Sequence, residues 1–244
     1  MKILVTNDDG IYSPGLSCLA KCASKYGDVI VMAPDVEQSS MGQAITSAKP
    51  ITYKRSPIHF EGMDAYRVSG TPADCVALGT HLFDDIDIVL SGINIGSNLG
   101  NSAWHSGTLS AARQAVLFGI RGVALSVSVG ENEPDFDALE PYVEDSLKEV
   151  MHESTMELLN INFPRKPLGE IVWTCQSVRH YDGKVIQQED PMGREHYWFT
   201  VFPIEEVEDD TDRWAVKNGK TSITPMILDL TDKKILSSKN GKSG

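Results

Sequence analysis

The chain has 244 residues, 41% hydrophobic and 23% charged, which suits one α/β domain with an appended arm and excludes a disordered chain. Its formal net charge is -12. With no Lys/Arg-rich stripe along it, polymeric DNA or RNA is excluded as the main ligand. An acidic protein that handles phosphate must gather positive charge locally, and a bound cation is the obvious source.

Residues 2–6 are apolar and β-branched and stop at polar turn residues, as a buried parallel strand does. The apolar run is too short for a signal peptide or a membrane span, so a cytoplasmic protein without membrane association is expected. Pro14 followed by Leu16, Leu19, Ala20 and Ala23 predicts a helix over 14–26. Cys18 and Cys22 fall one turn apart on it without a Cys/His cluster nearby, so they read as buried thiols. With Cys75 and Cys175 they form no disulfide framework. A second strand is expected at 29–33, closing a right-handed βαβ unit.

Between 44 and 69, Ile45, Ile51, Tyr53, Ile58, Phe60, Tyr66 and Val68 lie among polar residues, which reads as antiparallel strands on one edge. Helices are predicted at 72–83, 108–119 and 137–152, with strands at 87–91 and 122–127. That alternation implies an α/β fold with a mostly parallel, helix-covered sheet. After about residue 165 the pattern changes to short aromatic strands at 171–173, 185–186 and 197–201. Turn chemistry falls at Asp182-Gly183 and Met192-Gly193. The division expected is a core over 1–165 and a β-rich arm over 166–244, packed on the core or on another subunit. The polar tail from Lys233 reads as frayed.

Four loops carry chemistry. Asn7, Asp8, Asp9 and Gly10 follow the first strand, where an open α/β sheet places its ligand crevice. Adjacent carboxylates there repel unless a cation neutralises them. Ser91–Asn101 is rich in Gly and Asn, so its backbone can approach a ligand, and an Asn side-chain oxygen there is a hard, neutral metal ligand. His105, Ser106, Gly107 and Thr108 enter a helix, offering hydroxyls and free N–H groups to a phosphate. They do not form a P-loop. Ser39, after the second strand, offers a hydroxyl to metal or phosphate. Two carboxylates, a hydroxyl and an amide oxygen suit Mg²⁺ or Mn²⁺.

With these loops in hand the chain resembles the SurE (survival protein E) family of 5'/3'-nucleotidases. The resemblance is carried by Ile3–Ile11 with Pro14-Gly15, Ala33-Pro34-Asp35, Ser39, Gly70–Val76, Ser91–Asn94 and Ser106–Thr108. Asn160–Pro164 and Ser222–Pro225 extend it. It implies a Rossmann-like three-layer α/β/α core and a C-terminal arm exchanged between subunits of a homodimer or homotetramer. It implies hydrolysis of nucleoside monophosphates, with some activity on other phosphoesters and polyphosphate. By position, one divalent cation per subunit would be held by Asp8, Asp9, Ser39 and Asn94, with Asp8 and Asp9 catalytic. Ser39, Asn98, Ser106, Gly107 and Thr108 would contact phosphate or substrate. His105 stands where the family usually has Tyr, and Met192 where Arg is common.

Two rivals fit less well. A haloacid dehalogenase-type phosphatase needs a second Asp two residues after the first, and that position is Ile11 if Asp9 is the first. A non-catalytic nucleotide-binding module would favour Lys, Arg and backbone N–H over paired carboxylates. A dinucleotide oxidoreductase would need G-x-G-x-x-G after the first strand, which is absent.

Overall fold

The computed structural model describes residues 1–153, 155–179 and 181–239. Strands β1 (Lys2–Thr6), β2 (Asp28–Pro34), β3 (Tyr53–Arg55), β4 (Asp64–Val68), β5 (Ile88–Ile95), β6 (Arg121–Val127), β7 (Leu158–Phe163), β8 (Ile171–Trp173) and β11 (Thr221–Met226) form a nine-stranded sheet. A separate antiparallel hairpin consists of β9 (Tyr181–Glu189) and β10 (Glu195–Pro203). The helices are α1 (Pro14–Ala23), α2 (Pro72–Leu82), α3 (Gly107–Leu117), α4 (Phe136–Met151), α5 (Asp212–Lys217) and α6 (Lys233–Lys239).

The sheet order is β3-β4-β2-β1-β5-β6-β7-β11-β8. From β4 to β7 the neighbouring strands pair parallel. Period-two geometry explains why these strands are apolar throughout: Ile3 and Val5 enter one core while Leu4 enters the other. The same split places Val29 and Val31 opposite Ile30 and Met32. Helices α1 and α4 pack together over one face, and α2 and α3 over the other. The chain is thus the three-layer α/β fold that the resemblance implies.

Strand β1 has β2 on one side and β5 on the other. The order of strands reverses there, and the loops leaving β1 and β5 diverge to opposite faces of the sheet. This switch point is where a doubly wound sheet opens a crevice at its carboxyl edge.

Four local readings differ from the sequence. In the edge insertion, only β3 is antiparallel, whereas β4 pairs parallel with β2. The sheet continues past residue 165, since β11 lies antiparallel to β7 and β8 lies parallel to β11. Asp182-Gly183 is not a turn but part of β9, with Gly183 opposite Val201. A Cβ at Gly183 would lie 2.5 Å from the tip of the Phe199 ring, which packs over the bare glycine backbone. Residues 233–239 of the tail form an exposed helix; residues 240–244 lie outside the described residues. At the hairpin tip, Gly193 takes φ +74°, as the turn at Met192-Gly193 requires.

Candidate functional site

The loop after β1 is shaped by its own residues. Gly10 donates its N–H to Asn7 Oδ1, and Asn7 Nδ2 donates to the Gly10 carbonyl, both at 3.1 Å. Gly10 takes φ +94°, a conformation that costs a side-chain-bearing residue dearly. This closed turn fixes Asp8 and Asp9 beyond the strand end.

Each aspartate meets a different wall. Asp8 is buried; its Oδ1 accepts the Thr108 hydroxyl at 2.7 Å. Its backbone carbonyl accepts Gln38 N–H at 2.8 Å, which holds the Ser39 loop against it. Asp9 Oδ2 accepts the backbone N–H of Ile95 at 3.1 Å, next to Asn94. The structure therefore brings Asp8, Asp9, Ser39 and Asn94 to the same end of the sheet, at the switch point.

Hydrogen-bond directions leave oxygen lone pairs available. The Ser39 hydroxyl donates to Glu37 Oε1 at 2.5 Å, and Asn94 Nδ2 donates to the Gly96 carbonyl at 2.5 Å. Ser39 Oγ and Asn94 Oδ1 remain as acceptors or ligands. Burial raises the pKa of Asp8, against the opposing effect of the Thr108 hydrogen bond. Burial and then the neighbouring charge of Asp8 push Asp9 up to about 7. The pair is short of positive charge, and a hard divalent cation on these four oxygens would supply it.

The helix terminus backs directly on this pair. Ser106 is the N-cap of α3 and accepts the N–H of Leu109 at 2.9 Å. A Cβ at Gly107 would sit 2.8 Å from Asp8 Cβ and Oδ2, so only glycine lets the helix come this close. Thr108, expected as a phosphate contact, has its hydroxyl engaged by Asp8. Exposed His105 binds the neighbouring loop through its backbone, its carbonyl accepting Gly42 N–H at 2.9 Å.

Asn98 sits behind the site. Its Nδ2 donates to Ser126 Oγ at 2.7 Å and to Thr108 Oγ1 at 3.3 Å. Its backbone N–H donates to Asn162 Oδ1 at 2.8 Å, and its carbonyl accepts Asn160 Nδ2 at 2.8 Å. Sequence reasoning assigned Asn160 and Asn162 no role. Two asparagines at period two in an otherwise apolar stretch were the signal, because a buried amide demands a partner.

The segment after residue 165 also fixes the site. Asp212, fully buried, accepts Gly100 N–H and Ser177 N–H, each at 2.9 Å. Gln176 Nε2 donates to the Gly100 carbonyl at 2.8 Å. Both clamp the short turn Gly100–Trp104 that leads into His105 and α3.

Sequence reasoning also passed over Glu37, whose charge raises both aspartates. A different group, Cys22, Glu140 and Glu144, meets between α1 and α4. Its carboxylates already pair with Lys21 and Lys25, so it lacks the uncompensated charge of the Asp8/Asp9 site.

Residues 3–183 match the family model described as Survival protein SurE. The chain is 41% identical to 5'-nucleotidase SurE 1 of Thermus thermophilus, covering 99% of this chain and 97% of that protein. It is 40% identical to 5'-nucleotidase SurE of Deinococcus radiodurans, covering 96% of this chain and 90% of the relative. The crystal structure of the SurE protein from Aquifex aeolicus superposes with a TM-score of 0.84 at 36% identity, covering all of both chains.

Proposed function

Because the chain belongs to the SurE family, we propose that it is a 5'-nucleotidase, a phosphomonoesterase that hydrolyses nucleoside monophosphates to nucleoside and phosphate. The observation that carries this reading is the Asp8/Asp9 pair, Asp8 buried and Asp9 half-buried, set at the switch point against the N-terminus of α3. Activity on 3'-monophosphates is part of the proposal. A non-catalytic binding module is the weaker reading, since a pure phosphate binder gains nothing from two adjacent carboxylates.

In this reading Asp8, Asp9, Ser39 and Asn94 hold one divalent cation, Mg²⁺ or Mn²⁺, all through oxygen. Such a cation supplies Lewis acidity and offsets charge on the phosphoryl group. The chain's own groups do the rest. Backbone N–H groups at Ser106, Gly107 and Thr108 present fixed dipoles to phosphate oxygens. The Thr108 hydroxyl holds Asp8, and Asn98 holds Thr108. In this reading Asp8 or Asp9 takes the proton of the attacking water, although a carboxylate bound to the cation is the poorer base.

The wider setting is also proposed. Hairpin β9–β10 exposes Tyr197, Trp198, Phe199 and Val201, and supports an arm that a second subunit covers in a dimer or tetramer. Buried free thiols at Cys18, Cys22 and Cys75 suit a reducing cytoplasm. Among the described residues no helix is long and apolar enough to cross a membrane.

The test is phosphate release from AMP with Mn²⁺, with EDTA, and with Mn²⁺ restored. Release that stops with EDTA and returns with metal is expected. Release indifferent to EDTA would sink the metal reading, and no release with any divalent ion would sink the hydrolase.

A further inference from the structure

Away from the strand-end aspartates, α1 and α4 pack side by side over one face of the sheet. Cys18 and Cys22 lie four residues apart on α1, and Glu140 and Glu144 lie four residues apart on α4. Four residues make about one helical turn, so each helix turns its pair to one side. The two pairs meet. Cys18 Sγ donates to the Phe136 carbonyl at the start of α4 at 3.7 Å, and ligand atoms of Cys22, Glu140 and Glu144 lie within 4.8 Å of one another. Cys22 and Cys18 share a hydrogen bond, which makes Cys18 the fourth donor of the group. Among the described residues no other three His, Cys, Asp or Glu side chains converge so closely.

The chemistry of this quartet is unlike that of Asp8 and Asp9. Two sulfurs beside two carboxylates select a borderline-soft ion such as Zn²⁺ over Mg²⁺ or Mn²⁺. Zinc takes four such ligands as a tetrahedron, with Zn–S of about 2.3 Å and Zn–O of about 2.1 Å, which sets the ligand atoms roughly 3.5 Å apart. Small side-chain rotations close the observed spacing to that value.

Burial sets the resting state of the group. Cys22 is fully buried and Cys18 nearly so, while Glu140 and Glu144 are half-buried and form the way in. The Cys18 hydrogen bond and then burial hold the Cys22 thiol above its ordinary range, so without an ion it keeps its proton. Lys21 pairs with Glu140 Oε2 at 2.7 Å, and Lys25 pairs with Glu144 Oε1. Both lysines are exposed, so these ion pairs are weak, and each engages one carboxylate oxygen of two. The lysines therefore serve the site rather than block it. Two thiolates and two carboxylates are balanced in charge by one Zn²⁺ and the two ammonium groups.

We propose that Cys18, Cys22, Glu140 and Glu144 form a structural zinc site, separate from the strand-end centre. On binding, each thiol gives its proton to solvent and forms a Zn–S bond. The ion ties α1, the helix that leaves the Asp8/Asp9 loop, to α4. Protein ligands fill all four positions, as in a site that stabilises and does not react.

The test uses Co²⁺ as the spectroscopic stand-in for Zn²⁺, on the whole protein kept reduced with a phosphine. Thiolate-bound Co²⁺ absorbs strongly in the near ultraviolet by sulfur-to-metal charge transfer, and an all-oxygen site gives no such band. The wild type should show the band, Zn²⁺ should bleach it, and Asp8→Asn should keep it. Cys22→Ala should abolish it, and Glu140→Gln should weaken Co²⁺ binding at least about tenfold. Zn²⁺ should raise the thermal midpoint of the wild type and of Asp8→Asn but not that of Cys22→Ala. No charge-transfer band in the wild type overturns the site. So does a band that survives Cys22→Ala, which would belong to exposed Cys175. If Cys22→Ala fails to fold, Glu140→Gln decides, and an unchanged Co²⁺ affinity there overturns the site. None of these readouts needs phosphate release, so a failure here is distinct from a failure of the nucleotidase reading.

Discussion

Thr108 donates its hydroxyl to Asp8 across one hundred positions of sequence, at 2.7 Å in a fully buried setting. One hydroxyl thus ties the strand-end loop to the helix that faces it. Thr108→Val keeps the shape and removes the donor. Groups standing behind a metal ligand are typically worth about 10- to 100-fold in affinity or activity, and that loss is expected for Mn²⁺ binding and turnover. Thr108→Ser should restore most of it. Calorimetric titration of Mn²⁺ is the measurement, and an unchanged affinity in Thr108→Val would show that Asp8 needs no such support.

Asp9 carries a pKa of about 7 without a cation, raised by burial and by Asp8. Its folded value lies above its unfolded value, so the folded state binds the extra proton between about pH 4 and pH 7. The stabilisation it gives the metal-free protein is present at low pH and is lost as pH rises through 7. Thermal melts of the metal-free protein should therefore show this contribution fading from pH 5 to pH 8. The midpoint shift caused by Mn²⁺ should be larger at pH 8 than at pH 5. A larger shift at pH 5 would contradict the assignment.

Asp9→Asn separates stability from function. It removes one of two adjacent, mutually repelling charges, so the metal-free variant should be more stable than wild type at pH 8 by roughly 1 kcal/mol. Its Mn²⁺ affinity and AMP turnover should fall sharply. Denaturant melts paired with the AMP assay test both halves. A destabilised variant would mean that Asp9 is already neutralised within the protein.

Gly107→Ala replaces a poor helix former with the best one, and on propensity alone would stabilise the first turn of α3. Here its Cβ would meet Asp8 at 2.8 Å, so Asp8 or the helix must shift. Weaker Mn²⁺ binding and slower turnover are expected, with helicity by circular dichroism unchanged. Wild-type metal affinity in this variant would show that the loop has slack.

Asn162→Leu leaves the Asn98 N–H without its acceptor, and a buried unsatisfied group costs about 1–3 kcal/mol. The loss should also reach turnover through Asn98 and Thr108. In a double-mutant cycle, Asn162→Leu and Thr108→Val should be non-additive in turnover, because they interrupt one chain of hydrogen bonds. Strict additivity would separate the two.

The acidic loop was legible because its signals are local: an apolar strand, two carboxylates and a glycine that must turn. The helix predicted at 72–83 is α2, and the structure adds a capping box at its start that sequence reasoning had not read. Thr71 and Asp74 satisfy each other's backbone, and Asp74 also accepts Thr46 N–H at 2.9 Å. Strand β7 was not legible, since Asn160 and Asn162 interrupt its apolar run and their partner, Asn98, lies more than sixty positions away. The same holds for β8 and β11, whose place in the main sheet depends on pairing with β7 and with each other. Turn chemistry misled at Asp182-Gly183, because both residues pair within the long hairpin, Asp182 with Phe202 and Gly183 with Val201. Contacts made across the fold leave little trace in any short window of sequence.

The grip of Asp212 and Gln176 on Gly100 has a consequence for how this protein comes to life on the ribosome. Every proposed reactive group is synthesised before residue 109, yet the peptide leading to α3 is pinned by residues made 76 and 112 positions after Gly100. A nascent chain can own its whole chemical toolkit and still lack the brace that keeps it in register. Competence is then expected with the last quarter of translation, and a chain released before Asp212 would carry those groups without the brace.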